Sequence, residues 1–284
     1  MCDSRNETCH CGEGHTHNGA QHSHVHLSDI RSSVQHELMG KDERITDSKE
    51  VLAAKENLNI EGKTIDNYLA LTSALCLQLR YNEVIDVCKE ALSIEPNNFK
   101  VKRLLALRYL TTGHNDEALA LFTELKAESF DPLDIAYRLG LCQFYKGNYT
   151  SASDLFLEGI NYCQDRPEMY IACLYWYLFC LVELKKDITP ALKLYHEMDV
   201  GHHVGYLLAV ELFLGKKDED LKEQSKSNNL TRIMYLFGLY HYYLYTNESL
   251  LAKKTFDEGI ACDEYWASFS GMGFWNVFLR NKTK

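Results

Sequence analysis

A helical phrase that recurs every 34 residues constrains this chain more than any other feature. Each copy places a small or medium residue four positions before a larger apolar one. In chain order the pairs are Val84/Cys88, Ala118/Phe122 and Ala152/Phe156. Residues four apart lie on one face of a helix, so each pair predicts a helix that approaches its neighbour closely through the small residue. A fixed period of this kind predicts a repeat architecture.

A second apolar helix and a short polar turn precede each copy of the phrase. Leu139 and Gly140 lie in the first helix of the third unit, and Pro96 follows the first unit. With the 34-residue spacing of the small and large pairs, these residues resemble the tetratricopeptide repeat (TPR). The resemblance implies an all-α fold, a TPR-like right-handed solenoid of antiparallel helix pairs in which the first helices line a groove.

The repeat register divides the chain into four parts. Residues 1–27 form a Cys/His-rich tail, which we expect to be disordered without a ligand because it has little apolar surface to bury. Residues 28–65 are predicted to hold N-terminal capping helices at 28–39 and 48–58. Residues 66–262 form a TPR-like array of about five to six units, the fourth and fifth divergent. Residues 263–284 hold a C-terminal capping helix and a free end.

The spacing predicts the helix pairs of the array individually. The expected pairs are 66–79 with 82–94, 100–110 with 116–127, 132–145 with 150–162, 167–184 with a helix carrying Ala191 and Tyr195, 202–214 with 218–225, and 235–245 with a helix carrying Ala252 and Phe256. Two glycines, Gly271 and Gly273, predict a break or kink in the capping helix that follows the array.

Composition excludes several classes of function. A net charge of −10 without a cluster of Lys or Arg argues against nucleic acid as a partner. The sequence has no apolar span of about 18 residues and no signal peptide, so we expect no membrane insertion and a cytoplasmic location. Seven of the ten cysteines fall in apolar helices, which favours core filling by reduced thiols over disulfides.

The tail carries a dense set of metal-binding side chains. The candidate ligands are Cys9, His10, Cys11, His15, His17, His22, His24 and His26. Thiolate and imidazole donors suit Zn, Ni or Cu. The spacing differs from that of a structural zinc site, so it predicts several competing ligand sets. The alternative is a hydrophilic tail whose histidines chelate without a biological role.

The groove implied by the TPR resemblance is the candidate partner site. In that register, Leu69 and Ser73 replace the Lys and Asn with which one TPR subfamily grips a terminal carboxylate, so such a clamp is not expected. The predicted partner-binding residues are Arg103, Leu107, Tyr137, Leu141, Phe144, Trp176, Phe237 and His241. This largely apolar and aromatic set suits an amphipathic helix. Alternatively, the protein fills its own groove with residues 28–39 or with its Trp-rich end.

Two functions remain open, and neither is catalytic, because no nucleophile, phosphate-loop or metalloprotease motif occurs. The first is a protein–protein interaction scaffold that binds a partner peptide or helix in the groove and carries a metal-binding tail. The second is a metal-handling protein for storage, delivery or sensing. In the second, the tail is the active part and the array docks on the recipient.

Overall fold

A computed structural model describes residues 46–129, 131–163, 165–262 and 267–282 of the chain. These residues form α-helices and one short 3-10 helix, Gly201–His203, with no β-strand among them. Successive helices pack against their neighbours in sequence, so the protein has an all-α, solenoid-like repeat fold. The metal-ligand tail and the predicted helix at 28–39 lie outside the described residues.

The helix bounds follow the predicted pairs closely. In chain order they are α1 (Lys49–Ile60), α2 (Ile65–Leu77), α3 (Tyr81–Ile94), α4 (Phe99–Thr111), α5 (Asn115–Leu125), α6 (Pro132–Tyr145), α7 (Tyr149–Tyr162), α8 (Pro167–Glu183), α9 (Thr189–Leu192), α10 (Val204–Phe213), α11 (Asp218–Ser225), α12 (Asn229–Tyr245), α13 (Ser249–Ile260) and α14 (Phe269–Lys282). From α2 to α13 the even-numbered helices are the first helices of the pairs. Helix α1 precedes the pairs and α14 follows them.

Every first helix ends in the same left-handed turn. One residue after each has a positive φ: Leu79 (54°), Gly113 (78°), Gly147 (81°), Lys185 (52°), Gly215 (86°) and Asn247 (60°). In all six turns the next residue donates its backbone N–H to the carbonyl five positions earlier, as His114 does to Tyr109 at 2.9 Å. This arrangement satisfies carbonyls at the end of the helix. The first three turns are 34 residues apart, which confirms the repeat period in the backbone itself.

Helix starts differ between the two members of a pair. Four first helices begin at a side-chain cap, in which an oxygen accepts a backbone N–H three residues later. The capping residues are Thr64, Asn98, Asp131 and Asn228. The second helices have no such cap and begin directly after the left-handed turn. Polar capping residues therefore mark where each of these units begins.

The small and large pairs pack as their spacing predicts. Ala118, Phe122, Ala152 and Phe156 are all fully buried. The space is tight, because a Cβ atom added at Gly140 would lie 2.7 Å from the Phe156 ring. A small residue in the first helix therefore makes room for the large residue of the second helix.

We expect Ala118→Leu and Ala152→Leu each to lower the free energy of unfolding by about 1–3 kcal/mol, because overpacking a close helix contact forces the backbone to shift. Ala120→Leu is the matched control, since Ala120 lies on the same helix as Ala118 but is exposed. Urea unfolding followed by circular dichroism measures all three. Equal losses at the three positions would contradict the packing described here.

The fourth pair departs from its prediction. Its second helix, α9, has only four residues, and Tyr195 lies outside it. The Tyr170 hydroxyl donates to the Leu194 carbonyl at 2.6 Å, which holds the non-helical segment after α9 against α8. The small and large spacing of Ala191 and Tyr195 therefore does not mark a full helix.

The predicted break in the C-terminal helix is wrong. Helix α14 runs without interruption from Phe269 to Lys282. A Cβ atom added at Gly273 would lie 2.6 Å from the Phe237 ring, which belongs to α12. This glycine therefore serves the close approach of two helices, although its type alone indicates a helix breaker.

The core divides into two hydrophobic clusters. The smaller joins α1 to α4 and includes Val51, Leu75 and Val84. The larger extends from α3 to α14, and polar ties join its distant parts. Among them are the hydrogen bonds Asn115 Nδ2 to Asn276 Oδ1 (2.7 Å), Tyr145 Oη to the Phe269 carbonyl (2.6 Å) and Arg280 Nη1 to the Tyr145 carbonyl (2.6 Å). Helix α14 thus closes the C-terminal part of the array onto α5 and α6.

Candidate functional site

Seven of the eight side chains predicted to bind a partner are buried in the core. They are Leu107, Tyr137, Leu141, Phe144, Trp176, Phe237 and His241, each at most 3% exposed. The prediction that they line an open apolar surface is therefore wrong. The physical reason is that helices distant in sequence pack over these positions.

Trp176 on α8 is the centre of this buried aromatic cluster. Its indole Nε1 donates to the Tyr137 hydroxyl at 3.1 Å. Its ring lies 4.9 Å from the Phe144 ring, 5.5 Å from the Phe237 ring and stacked 6.1 Å from Phe156. Residues of α6, α7, α8 and α12 therefore meet in one core, in which indole and phenol satisfy each other's polar atoms.

Helix α14 covers one side of this aromatic cluster. The Phe269 ring lies 5.8 Å from Tyr137, and the Phe274 ring lies 4.9 Å from Phe237. Both Phe269 and Phe274 are buried in turn. The alternative in which the Trp-rich end fills the groove is therefore the one that agrees with the structure at α6 and α12.

His241 and Glu183 form a buried polar pair beside the aromatic cluster. His241 Nδ1 lies 2.8 Å from the Phe237 carbonyl, so this nitrogen must carry the hydrogen. His241 Nε2 faces Glu183 Oε1 at 3.4 Å. Burial acts to raise the pKa of Glu183, but His241, Arg280 and Tyr149 outweigh burial and hold the pKa below its ordinary value.

The lowered pKa of Glu183 predicts a loss of stability in acid. Because the unfolded state binds the proton first, this stabilisation is present above about pH 4.3, the ordinary value for glutamate, and is lost as the pH falls through the lower folded-state pKa. We expect Glu183→Gln to flatten this part of the profile of unfolding free energy against pH. Urea titrations at several pH values measure it. The exposed Glu223 supplies the control, and an identical effect of Glu223→Gln would contradict the assignment.

Arg103 is the one predicted partner residue that retains exposure, at 18% of its side chain. Its Nε and Nη2 donate to the two carboxylate oxygens of Asp134 at 2.8 and 2.9 Å. Arg138, one helical turn after Asp134 on α6, shares the same carboxylate through Nη2 at 3.0 Å. Two guanidinium groups from adjacent first helices thus share one carboxylate.

A third arginine lies near this pair. Arg108 on α4 is buried, and its guanidinium stacks over the Tyr81 ring at 4.1 Å. Burial lowers the pKa of Arg138, and the positive charges of Arg103 and Arg108 lower it further. We call Arg103, Arg108 and Arg138 the arginine cluster.

The arginine cluster is short of negative charge among the described residues. Asp134 is its only ion-pair partner there, and the guanidinium Nε atoms of Arg108 and Arg138 are buried without a hydrogen-bond partner. The Cys88 thiol near Arg108 stays neutral, because burial raises its pKa to about 12. Sequence reasoning found Arg103 through its register but missed the two buried arginines. The Asp134/Arg138 spacing of four was the available signal.

Other candidate sites carry less chemistry. His202 and His203 form the short 3-10 helix, as expected for residues at the end of a loop. In the part of the chain that the structure describes, no group of three or more His, Cys, Asp or Glu side chains is arranged to hold a metal ion. None of the helices described has the length and apolar character needed to cross a bilayer.

No protein-family model matches the chain, and no curated protein sequence matches it.

Proposed function

We propose that this protein is a non-catalytic, cytoplasmic interaction scaffold of the TPR type. It holds a partner polypeptide on the first-helix face, which we define as the surface of Leu69, Ser73 and Arg103 on α2 and α4. The observation that carries the proposal is the equivalence of Leu69, Arg103 and Tyr137, which recur at intervals of 34 residues. At Tyr137 this face already packs against a helix, α14.

The first-helix face differs from its covered equivalent in exposure. Ser73 is exposed, and Leu69 and Arg103 are partly buried, whereas Tyr137 is only 3% exposed. A polypeptide segment on α2 and α4 would extend along the array the mode of packing that α14 adopts at α6. Helix-in-groove binding of this kind uses apolar anchors from one face of the bound helix. The free thiols of the seven described cysteines support a reducing compartment.

A selected peptide provides a defined probe for this proposal. We would select binders from a peptide display library against the full chain, and introduce a photo-crosslinking amino acid at Ser73 or at the exposed Ala120 of α5. Cross-linking at position 73 but not at 120 is expected. Leu69→Asp should weaken binding about tenfold, because it places a charge against an apolar contact, while Ala120→Asp should not. Cross-linking at 120 alone would overturn the proposal.

The tail supports an additional role in metal binding. Residues 9–26 hold eight thiol and imidazole ligands within a short stretch, a donor set that fits Zn, Ni or Cu. A metal-handling protein is therefore the second candidate function, in which the tail collects the ion and the array docks on the recipient.

Removal of residues 1–26 separates the two candidates. If the protein is a scaffold, the selected peptide binds the shortened chain as well as the full chain, with or without chelator. If the protein handles metal, equilibrium dialysis with Zn shows binding to the full chain only, and contact with the recipient depends on the ion. Peptide binding that disappears together with the tail would argue against the scaffold.

A further inference from the structure

The arginine cluster joins two first helices next to the first-helix face. Arg103 and Asp134 reach solvent, with 18% and 15% of their side chains exposed, while Arg138 lies behind them at 5%. An anion that approaches from solvent would therefore meet Arg103 first and reach Arg138 through the shared carboxylate. Arg108 adds positive charge from within the array.

We propose that this cluster binds a phosphoryl group carried by the partner polypeptide, such as a phosphoserine or phosphothreonine. The inference rests on the proposed function, because the phosphoryl group would be held beside Arg103 on the first-helix face. It names the chemistry of the partner, which the first-helix face alone does not.

Charge favours a phosphoryl group over a carboxylate. One carboxylate serves two guanidinium groups here, and the third guanidinium has no carboxylate partner among the described residues. A phosphomonoester carries roughly 1.5 to 2 negative charges and three acceptor oxygens at neutral pH, whereas a carboxylate carries one charge and two oxygens. Guanidinium groups match the geometry of phosphate through paired N–H donors.

The orphaned donors support the same ligand. The Nε atoms of Arg108 and Arg138 are buried without a partner among the described residues, and leaving a charged donor unsatisfied is costly. The aromatic ring under Arg108 lowers this cost only in part, because a cation–π contact supplies no acceptor for the N–H groups. Phosphoryl oxygens would share the donors of Arg103 and Arg138 with Asp134 and would neutralise the remaining charge.

The test follows the guanidinium groups directly in the full-length protein. Nitrogen-15 NMR of the arginine Nε–Hε groups is recorded while phenyl phosphate, inorganic phosphate or benzoate is added. We expect saturable shifts of the Arg103 and Arg138 signals with phenyl phosphate and not with benzoate. Arg103→Gln should weaken phenyl phosphate binding about tenfold or more, because it removes a charge-assisted pair of donors.

Arg166→Gln is the matched control. Arg166 also pairs with an aspartate through two hydrogen bonds, to Asp131 at 2.9 and 2.8 Å, but it lies at an exposed position outside the cluster. Equal losses in Arg103→Gln and Arg166→Gln, or equal shifts with benzoate, would overturn the proposal. Shifts with inorganic phosphate but none with phenyl phosphate would show a free-ion site and would overturn the assignment to a polypeptide.

A polypeptide arm separates this inference from the proposed function. The selected peptide is synthesised with serine or with phosphoserine at the position that cross-links nearest Ser73. Tighter binding of the phosphoserine form by about tenfold, lost in Arg103→Gln, supports the inference. If the peptide cross-links at Ser73 and phosphorylation has no effect, the inference fails and the scaffold stands. If phenyl phosphate binds but no selected peptide contacts Ser73, the scaffold fails and so does the partner assigned here.

Discussion

Replacement of Trp176 by alanine is expected to lower the free energy of unfolding by about 3–5 kcal/mol. The indole is fully buried and contacts rings from three other helices, so its removal leaves a large cavity and an unpaired Tyr137 hydroxyl. Urea unfolding monitored by circular dichroism gives the value. A marginally stable variant would already be partly unfolded without denaturant.

Tyr245→Ala is the control for Trp176→Ala. Tyr245 is also aromatic and lies at the end of α12, but it is 47% exposed. We expect a change of less than about 1 kcal/mol there. If Trp176→Ala keeps the stability of the original chain and loses only partner binding, then Trp176 lines a groove and the core described here is wrong.

Asp134→Asn is expected to lower the free energy of unfolding by about 3 kcal/mol, because it removes the carboxylate shared by two guanidinium groups. The asparagine has nearly the same shape, so the loss reports charge rather than packing. Burial acts to raise the pKa of Asp134, yet Arg138 and Arg103 hold it below its ordinary value, which indicates that the charged form is the stabilising one. Denaturant titration measures the loss.

Asp131→Asn supplies the comparison for Asp134→Asn. Asp131 pairs with Arg166 at an exposed site and caps α6, and asparagine caps a helix about as well as aspartate. The expected change is below about 1 kcal/mol, as for other exposed pairs. Similar losses at Asp131 and Asp134 would show that the arginine cluster does not depend on its carboxylate.

The sequence was sufficient for the repeat and for most helix bounds, because both arise from local patterns. The spacing of Ala118 and Phe122 is a property of one helical turn, and the turn at Gly113 depends on residues within five positions. A period of 34 then carries the same local result along the chain. For the same reason the prediction was weakest at α9, where Tyr170 from another helix determines the backbone path.

The partner site was predicted poorly because burial depends on distant residues. Spacing places Phe144 on the correct face of α6, but it does not say that Trp176 and Phe237 cover that face. Gly273 has the same ambiguity, since the residue type indicates a helix breaker and only the Phe237 ring nearby explains it. The buried arginines were missed because arginine in a helix usually extends to solvent.

The polar ties of α14 change how the molecule can open. In a linear array each unit contacts only its neighbours, so either end can unravel alone. Here Asn276 and Arg280 bond to α5 and α6, so releasing the last helix also breaks contacts in the middle of the chain. Backbone amides from α6 to α14 should therefore exchange with solvent deuterium as one cooperative unit, while those of α1 to α3, which belong to a separate cluster, open at lower free energy.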